Sequence, residues 1–537
     1  MGLTLLNQLG ESNPQLFREL KGQLKSRNLF VGIATSLVCQ LLLLVTCAKK
    51  YSCLDYAGSN CTPLAWDIQW SFVFRTLDWI LPFLVLVCGV YLLISDLGKE
   101  EHRGTLNFIR LSPQSSQSIL IGKMLGVPAL LYLGIVLAVP LHAGSALVAG
   151  LPLSWLLGIY TLWGVGCGFL YSAALLLTLL NGSKSGVQAL AWSGTFLASL
   201  FGLFYISLTD FSFDWYRSSS GLGSWHWFLL PLGHRPELMF VWMLITLSVG
   251  TYWIWQAANR LLTNPSATVV SKSQSYWLVA SVEVWLLGFV VPQLNSVPSD
   301  FQLSIGFGVL FVLNPVGFLV LNAALSPRPQ ALLDWACYRH KDSSTRQGVL
   351  HRSLIKDLIR GAKSPALVAI AINLLISAAI WIPWILLGLG QVESKGEFTT
   401  PRVLLGLLLT INVILIYAAI AQVMLFMNRW KRSLWAVGTV SVLIGVPIAI
   451  GVVLGISPLE IPFLWLFSPL PILALINASA TTVFLCLLAQ LGILGLLTLH
   501  LTRQLQKAGE SASKALFAEP PCWPIGGLKS EAPADPN

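Results

Sequence analysis

The feature that most constrains this chain is an apolar run of roughly 20 residues that recurs along nearly its whole length. Coiled as a helix, such a run crosses a hydrocarbon core about 30 Å thick. Backbone N–H and C=O groups in lipid must bond within their own segment, so helices are the expected form. The alternating pattern of a membrane barrel is absent from the sequence. Only 10% of the 537 residues are charged and 55% are hydrophobic, whereas a soluble protein carries about 25% charged residues. The chain reads as all-α, a polytopic helical membrane protein. The runs place about twelve transmembrane helices, near 29–48, 71–95, 119–145, 152–181, 186–208, 236–260, 276–292, 302–325, 365–390, 401–427, 433–456 and 477–502.

Lys and Arg sort unevenly between the two sets of connections. One set holds Arg18, Lys21, Lys25 and Arg27, then Lys99, Arg103, Arg110 and Lys123, and most of the later basic residues. The alternate set holds only Lys49, Lys50, Arg217, Arg235, Lys395 and Arg402. The positive-inside bias puts both termini and the 96–122 loop in the cytoplasm. The net charge of +10 is then a topology signal, and no nucleic acid partner is implied. The polar first 28 residues lack the apolar core of a cleaved signal peptide. Asn13 can cap a helix whose first turn holds Pro14. Leu16, Phe17, Leu20 and Leu24 would share one face, and Lys21, Lys25 and Arg27 would meet headgroups, as in a helix lying at the interface.

Most of the nine cysteines are isolated packing residues in apolar runs, as Cys39, Cys88, Cys167 and Cys486 are. Cys53 and Cys61 share a short outer loop and are a possible disulfide if that side is oxidising. "NCT" in the same loop fits a glycosylation sequon, a weak pattern. Two outer segments, 224–236 and 459–475, are aromatic and broken by proline. Both carry Trp-x-x-x-Pro-Leu, at Trp227 with Pro231 and at Trp465 with Pro469, and are expected as short outer half-helices. The pairing points to an internal repeat. It divides the chain into a first unit, 1–262, a second unit, 263–502, with a cytoplasmic loop at 326–364, and a disordered cytoplasmic tail, 503–537. A competing echo, "LFRELKGQLKS" at 16–26 against "LIKDLIRGAKS" at 354–364, would shift the repeat register.

Between two uncharged runs lies "SDLGKEEHRGTLNFIRLSPQSSQSILIGK", residues 95–123, which packs three acids, four bases and a histidine. Read as a helix over 99–111, it aligns Lys99, Arg103, Asn107 and Arg110 in one polar stripe. The plainer alternative is a solvated basic loop kept by the positive-inside bias. "KEEHRGTLNFIRLSP" followed by "ILIGK" resembles the cytoplasmic signature of ABC type-2 permeases, the membrane subunits of many ABC exporters. The matching positions are Glu100, Gly104, Thr105, Leu106, Pro113, Gly122 and Lys123. The acid usual after Gly-Thr-Leu is Asn107 here. The likeness covers about 13–262 and is diffuse beyond. It implies a coupling helix that docks on a separate ATPase subunit, with Glu100, Arg103, Gly104, Thr105, Leu106, Arg110, Pro113 and Lys123 as docking residues. It also implies that ATP and Mg are held by that partner. No cofactor is expected on this chain, which has no G-x-x-x-x-G-K-[ST] loop. If the two halves are a fused pseudo-dimer, one polypeptide engages both ATPases; otherwise a homodimer is needed.

Glu283 is the most informative carboxylate, about eight residues or 12 Å into the seventh span. An ionisable group there faces a partner or a wet cavity. The sequence offers Gln40, Asn322 or Asn373 as structural partners, or a substrate- or proton-linked role. Arg75 and Asp78, three apart, are expected to pair locally. His226 and His234 lack a third ligand at metal spacing, so no metal site is assigned. The leading reading is an ABC exporter permease, not itself an enzyme, moving an unidentified substrate. The alternatives are a secondary transporter with Glu283 as its ion-coupling carboxylate, and a membrane-embedded lipid-modifying enzyme.

Overall fold

Each apolar run folds into a helix, and the departures fall where the chain carries proline, glycine or a π turn. A computed structural model describes residues 11–50, 66–181, 186–218, 226–233, 235–291, 300–343, 350–388, 399–426, 432–455, 461–475 and 478–517. Cys53, Cys61 and His234 lie outside the described residues. Among the described residues, 11 helices are long and apolar enough to cross a membrane. The chain divides into two compact units, 1–270 with 285–302, and 271–284 with 303–537.

The first unit opens with α1 (Pro14–Gln23), capped by Asn13, whose side chain accepts from the Leu16 amide at 3.0 Å. Helix α2 (Ser26–Cys47) is followed by two three-residue strands, β1 (Ala48–Lys50) and β2 (Trp66–Ile68), paired antiparallel. The second span is α3 (Trp70–Phe83) and α4 (Gly89–His102), joined by a π-helical turn over Leu84–Cys88. Then come α5 (Thr105–Arg110), α6 (Ser116–Gly126), α7 (Ala129–Val148), α8 (Leu153–Asn181), α9 (Val187–Ser218) and α10 (Pro236–Thr263). The core gathers Phe74, Leu86, Leu93, Ile94, Leu156, Tyr171 and Tyr205.

The expected third span, 119–145, is two helices. Pro128 has no amide hydrogen and crowds the carbonyl four residues back. That carbonyl, on Met124, instead accepts from the Tyr132 hydroxyl at 3.0 Å. The π turn is compensated in the same way. A π turn disturbs the regular bonding ladder, and the buried Tyr171 hydroxyl of α8 donates to the Val85 carbonyl inside it.

In the second unit, α11 (Lys272–Leu287) has 16 residues, about 24 Å at 1.5 Å each. It ends five residues short of the expected limit of 292: Pro292 has no amide hydrogen for the Gly288 carbonyl, which accepts instead from the Phe228 amide at 2.7 Å. Next come α12 (Asp300–Gly308), a second π turn over Val309–Leu313, and α13 (Asn314–Leu325). Helices α14 (Pro329–Ser343), α15 (Leu350–Arg360), α16 (Leu367–Gly388), α17 (Thr400–Phe426) and α18 (Arg432–Val453) follow. The unit closes with α19 (Pro462–Leu466), α20 (Ile472–Leu475) and α21 (Ala480–Phe517). Buried Phe318, Leu325, Ala369, Ile370, Leu374, Ile414 and Ala418 form a core. Lys272, 2% exposed, donates to the Leu358 carbonyl at 2.8 Å, Ser364 Oγ at 2.6 Å and the Pro365 carbonyl at 2.9 Å. It ties α11 to the junction of α15 and α16.

Each unit has a second span interrupted by a π turn, a second span packed on its fourth, and a fourth packed on its sixth: α4 on α8 and α8 on α10, then α13 on α17 and α17 on α21. Two expectations need correcting. Helix α21 continues to Phe517 instead of giving way to a disordered tail at 503, because residues 503–517 hold no proline and are rich in Ala, Gln, Leu and Lys. Over its described residues 226–233 the first outer segment forms a turn and not the expected half-helix. Trp227 and Leu230 close a tight turn on one another, and Phe228 sits at φ 49°.

Replacing Tyr171 by Phe leaves the Val85 carbonyl without this donor. A loss of about 0.6–1.7 kcal/mol is expected, the range for hydrogen bonds inside membrane proteins. It should appear as a lowered midpoint in thermal unfolding of the detergent-solubilised protein.

Candidate functional site

The 95–123 stretch is built around one buried ammonium. Lys123 on α6 has a side chain only 1% exposed. Its Nζ lies 2.6 Å from Asp96 Oδ2, 2.8 Å from Glu100 Oε1 and 2.8 Å from Glu19 Oε1. Asp96 and Glu100 stand one turn apart on α4, and Glu19 comes from α1. Arg18 closes the cluster, reaching Glu100 at 2.6 Å and Glu19 at 3.0 Å. Burial disfavours the Lys123 ammonium, but Asp96, Glu100 and Glu19 outweigh it and hold its pKa above the ordinary lysine value. Burial acts the same way on Arg18, and Glu19 and Glu100 again overcome it. The three carboxylates converge closely enough to hold a cation, and the Lys123 ammonium occupies that place.

Helix α1 reaches this centre because α6 presents Gly122 and Gly126, one turn apart. A Cβ on Gly122 would lie 2.8 Å from the Leu16 amide nitrogen, and one on Gly126 would collide with the Glu19 side chain. Asn13 Nδ2 donates to the Ser118 carbonyl at 2.9 Å, and Gln15 Nε2 to Glu19 Oε1 at 2.8 Å. The face of α1 packed into the unit is therefore polar, with Gln15 and Glu19 buried and Leu16, Phe17, Leu20 and Leu24 only partly covered.

Beyond the cluster the chain turns. Helix α4 runs to His102, Gly104 takes φ +74°, and α5 starts at Thr105. The single helix expected over 99–111 is thus two, and the Lys99–Arg103–Asn107–Arg110 stripe is broken. A left-handed residue cannot continue a right-handed helix, and glycine adopts that conformation at no steric cost. Leu106, 1% exposed, anchors α5, while Phe108 is 77% and Leu111 84% exposed. Asn107 Oδ1 accepts from Arg110 Nη1 at 3.0 Å, and Glu101 supplies a carboxylate 3.8 Å from Arg110. Thr105 Oγ1 donates to the Glu100 carbonyl at 3.1 Å. Of the sequence-derived docking residues, Arg103, Thr105 and Pro113 are exposed, Glu100 and Lys123 meet inside the cluster, and Leu106 is core. Arg18, Glu19 and Asp96 escaped the sequence reading. Their available signals were the four-residue spacing of Asp96 and Glu100 and the Gly-x-x-x-Gly of α6.

Glu283 is 3% exposed. Its Oε2 accepts from Trp381 Nε1 at 2.8 Å and Asn314 Nδ2 at 3.2 Å, and Asn314 Nδ2 lies 3.5 Å from Ser377 Oγ. None of the partners expected from sequence is used. Asn373 bonds Ser275, Asn322 bonds Gln422, and Gln40 bonds Ser36 and the Leu137 carbonyl. Asn314 is the first residue after the second π turn, and no cation meets Glu283 among the described residues.

No family model, curated protein or solved structure matches the chain.

Replacing Lys123 by Met leaves the Glu19 and Glu100 carboxylates buried without their central cation. The expected cost is about 3–5 kcal/mol, measured by thermal unfolding near neutral pH. Glu283→Gln keeps the size of the side chain but can turn an amide toward the Trp381 and Asn314 donors. A stability change of under about 1.5 kcal/mol, together with loss of transport in proteoliposomes, is the outcome expected of a charge-dependent role; unchanged transport leaves Glu283 structural.

Proposed function

We propose that the chain is the membrane-spanning permease subunit of an ATP-binding cassette exporter, with ATP and Mg bound and hydrolysed on a separate ATPase subunit. The observation that carries this reading is α5. It is a short stiff element between two spans, held from below by Leu106 and displaying Phe108 and Leu111 to the aqueous side. Neighbouring large apolar side chains on a charged loop favour a protein partner over water. The Lys123 cluster supports the same reading, because it braces this loop to α1, α4 and α6. A push on α5 therefore reaches three helices together. The Lys and Arg count supports both termini and α5 on the cytoplasmic side, and the membrane in this reading is a bacterial inner one. In this reading the two units act as a fused pseudo-dimer, and α14 and α15 offer the second docking element.

A second reading, a secondary transporter, draws on Glu283, a buried carboxylate held by neutral donors. The two separate in one experiment. The tagged chain, purified gently from its native host, should bring down an ATPase carrying a Walker motif. The double variant Phe108→Ala, Leu111→Ala and the single variant Gly104→Pro should each lower its recovery at least about tenfold, equivalent to about 1.4 kcal/mol, with the elution profile of the chain unchanged. Undiminished recovery refutes docking through α5. Transport by the chain alone under a proton or sodium gradient favours the second reading.

A further inference from the structure

Helix α15 carries one half of a sequence echo, "LIKDLIRGAKS" at 354–364 against "LFRELKGQLKS" at 16–26. The two halves are packed differently. Helix α1 buries a polar side, Gln15 and Glu19, against α6. Helix α15 has an apolar side that the protein leaves partly open. At about 100° per residue, Leu354, Ile355, Leu358 and Ile359 form one arc about 140° wide, and Lys356 and Arg360 fall together on the far side. An apolar arc of that width on a surface helix normally faces a core. Here Ile355 is 51% exposed, and Leu354, Leu358 and Ile359 are only partly buried. Lys356, Arg360 and Lys363 are exposed, and no ion pair engages them among the described residues.

The level of the helix is fixed by its last turn. The Asp357 carbonyl accepts from Ser364 Oγ at 2.6 Å and from the Gly361 amide at 2.7 Å. The Leu358 carbonyl accepts from Lys272, and the Ile359 carbonyl from the Tyr276 hydroxyl at 2.8 Å. Lys272 opens α11, and Leu367, seven residues past Arg360, opens α16, which is long and apolar enough to cross a membrane. The last turn of α15 is thus tied to the ends of two apolar helices, at the bilayer surface. Its 11 residues rise about 16 Å, too little to cross a core of about 30 Å. A short helix at this level, with an uncovered apolar arc and a basic far side, lies along the interface. The Lys and Arg count supports the cytoplasmic face, where the leaflet is anionic. Bases without counter-ions beside an apolar arc complement a layer of anionic headgroups above acyl chains.

We propose that α15 is a surface helix that binds the anionic leaflet. Ile355 and its apolar neighbours enter the acyl boundary, and Lys356, Arg360 and Lys363 meet phosphate-bearing headgroups. The site is independent of the permease reading; within that reading it leaves α14 as the protein-facing part of the second docking element. The test is hydrogen exchange of the full chain in lipid nanodiscs, read by mass spectrometry on peptides covering 350–363. Exchange there should be at least about fivefold slower in discs of mixed phosphatidylglycerol and phosphatidylcholine than in phosphatidylcholine alone. Salt at about 1 M should remove the difference, and so should the triple variant Lys356→Gln, Arg360→Gln, Lys363→Gln. Ile355→Asn should reduce it. Inorganic phosphate added to phosphatidylcholine discs should not reproduce it. The salt arm uses the unaltered chain and decides the matter even if a variant misfolds. Equal exchange in the two lipids overturns the proposal, as does slowing that survives high salt or that inorganic phosphate reproduces. Slowing that appears only when a partner protein is added assigns the face to that protein and overturns it as well.

Discussion

One end of the first unit depends on a single ammonium. Lys123 lies where α1, α4 and α6 meet, and each of its carboxylate partners comes from a helix that would otherwise part from α6. A lysine this buried is tolerated only because three acids surround it. Those acids are tolerated near one another only because Lys123 and Arg18 lie between them. Two cations and three anions leave the cluster one negative charge, and the groups are mutually dependent. The glycine pair on α6 is the steric condition for this, since any side chain there would keep Glu19 away. Charge, close approach and the loop geometry beyond are one arrangement.

The same economy governs the interior. At Pro128 and at the first π turn a tyrosine hydroxyl meets a freed carbonyl: Tyr132 at Met124 and Tyr171 at Val85. In hydrocarbon no water is available to do so. Lys272 in the second unit applies the rule from the other side, spending its donors on two carbonyls and a hydroxyl at a loop. Its burial pulls its pKa down to about 8, with Asp357 opposing. Lys123, equally hidden but ringed by carboxylates, is shifted the other way. The contrast isolates the effect of counter-charge from that of burial.

The helices were legible because a 20-residue apolar run has one viable form in lipid. The cap at Asn13 was legible because it is local. The split at Pro128 was signalled by the proline itself, yet a long apolar run conceals it when read by hydropathy alone. Gly104 was legible as part of the motif that carries the resemblance, but not as a left-handed residue. The charge cluster was hidden by distance, since Glu19 and Lys123 are 104 positions apart and no local pattern links them. Glu283 was recognised as unusual from its apolar surroundings. Its true partners were not, because Trp381 reads as one more apolar residue and its indole N–H is invisible to a hydropathy count.

The 95–123 stretch also separates written charge from presented charge. Four bases stand in its sequence. In the folded chain Lys123 is neutralised by its carboxylates, and Arg110 is engaged by Asn107 and Glu101. Only Lys99 and Arg103 are left facing outward. All four bases count toward orientation while the unfolded chain enters the bilayer, but only two remain for anything that later approaches the finished surface. What such a visitor meets is a weakly basic rim around two bare apolar side chains, far less electrostatic than the sequence advertises.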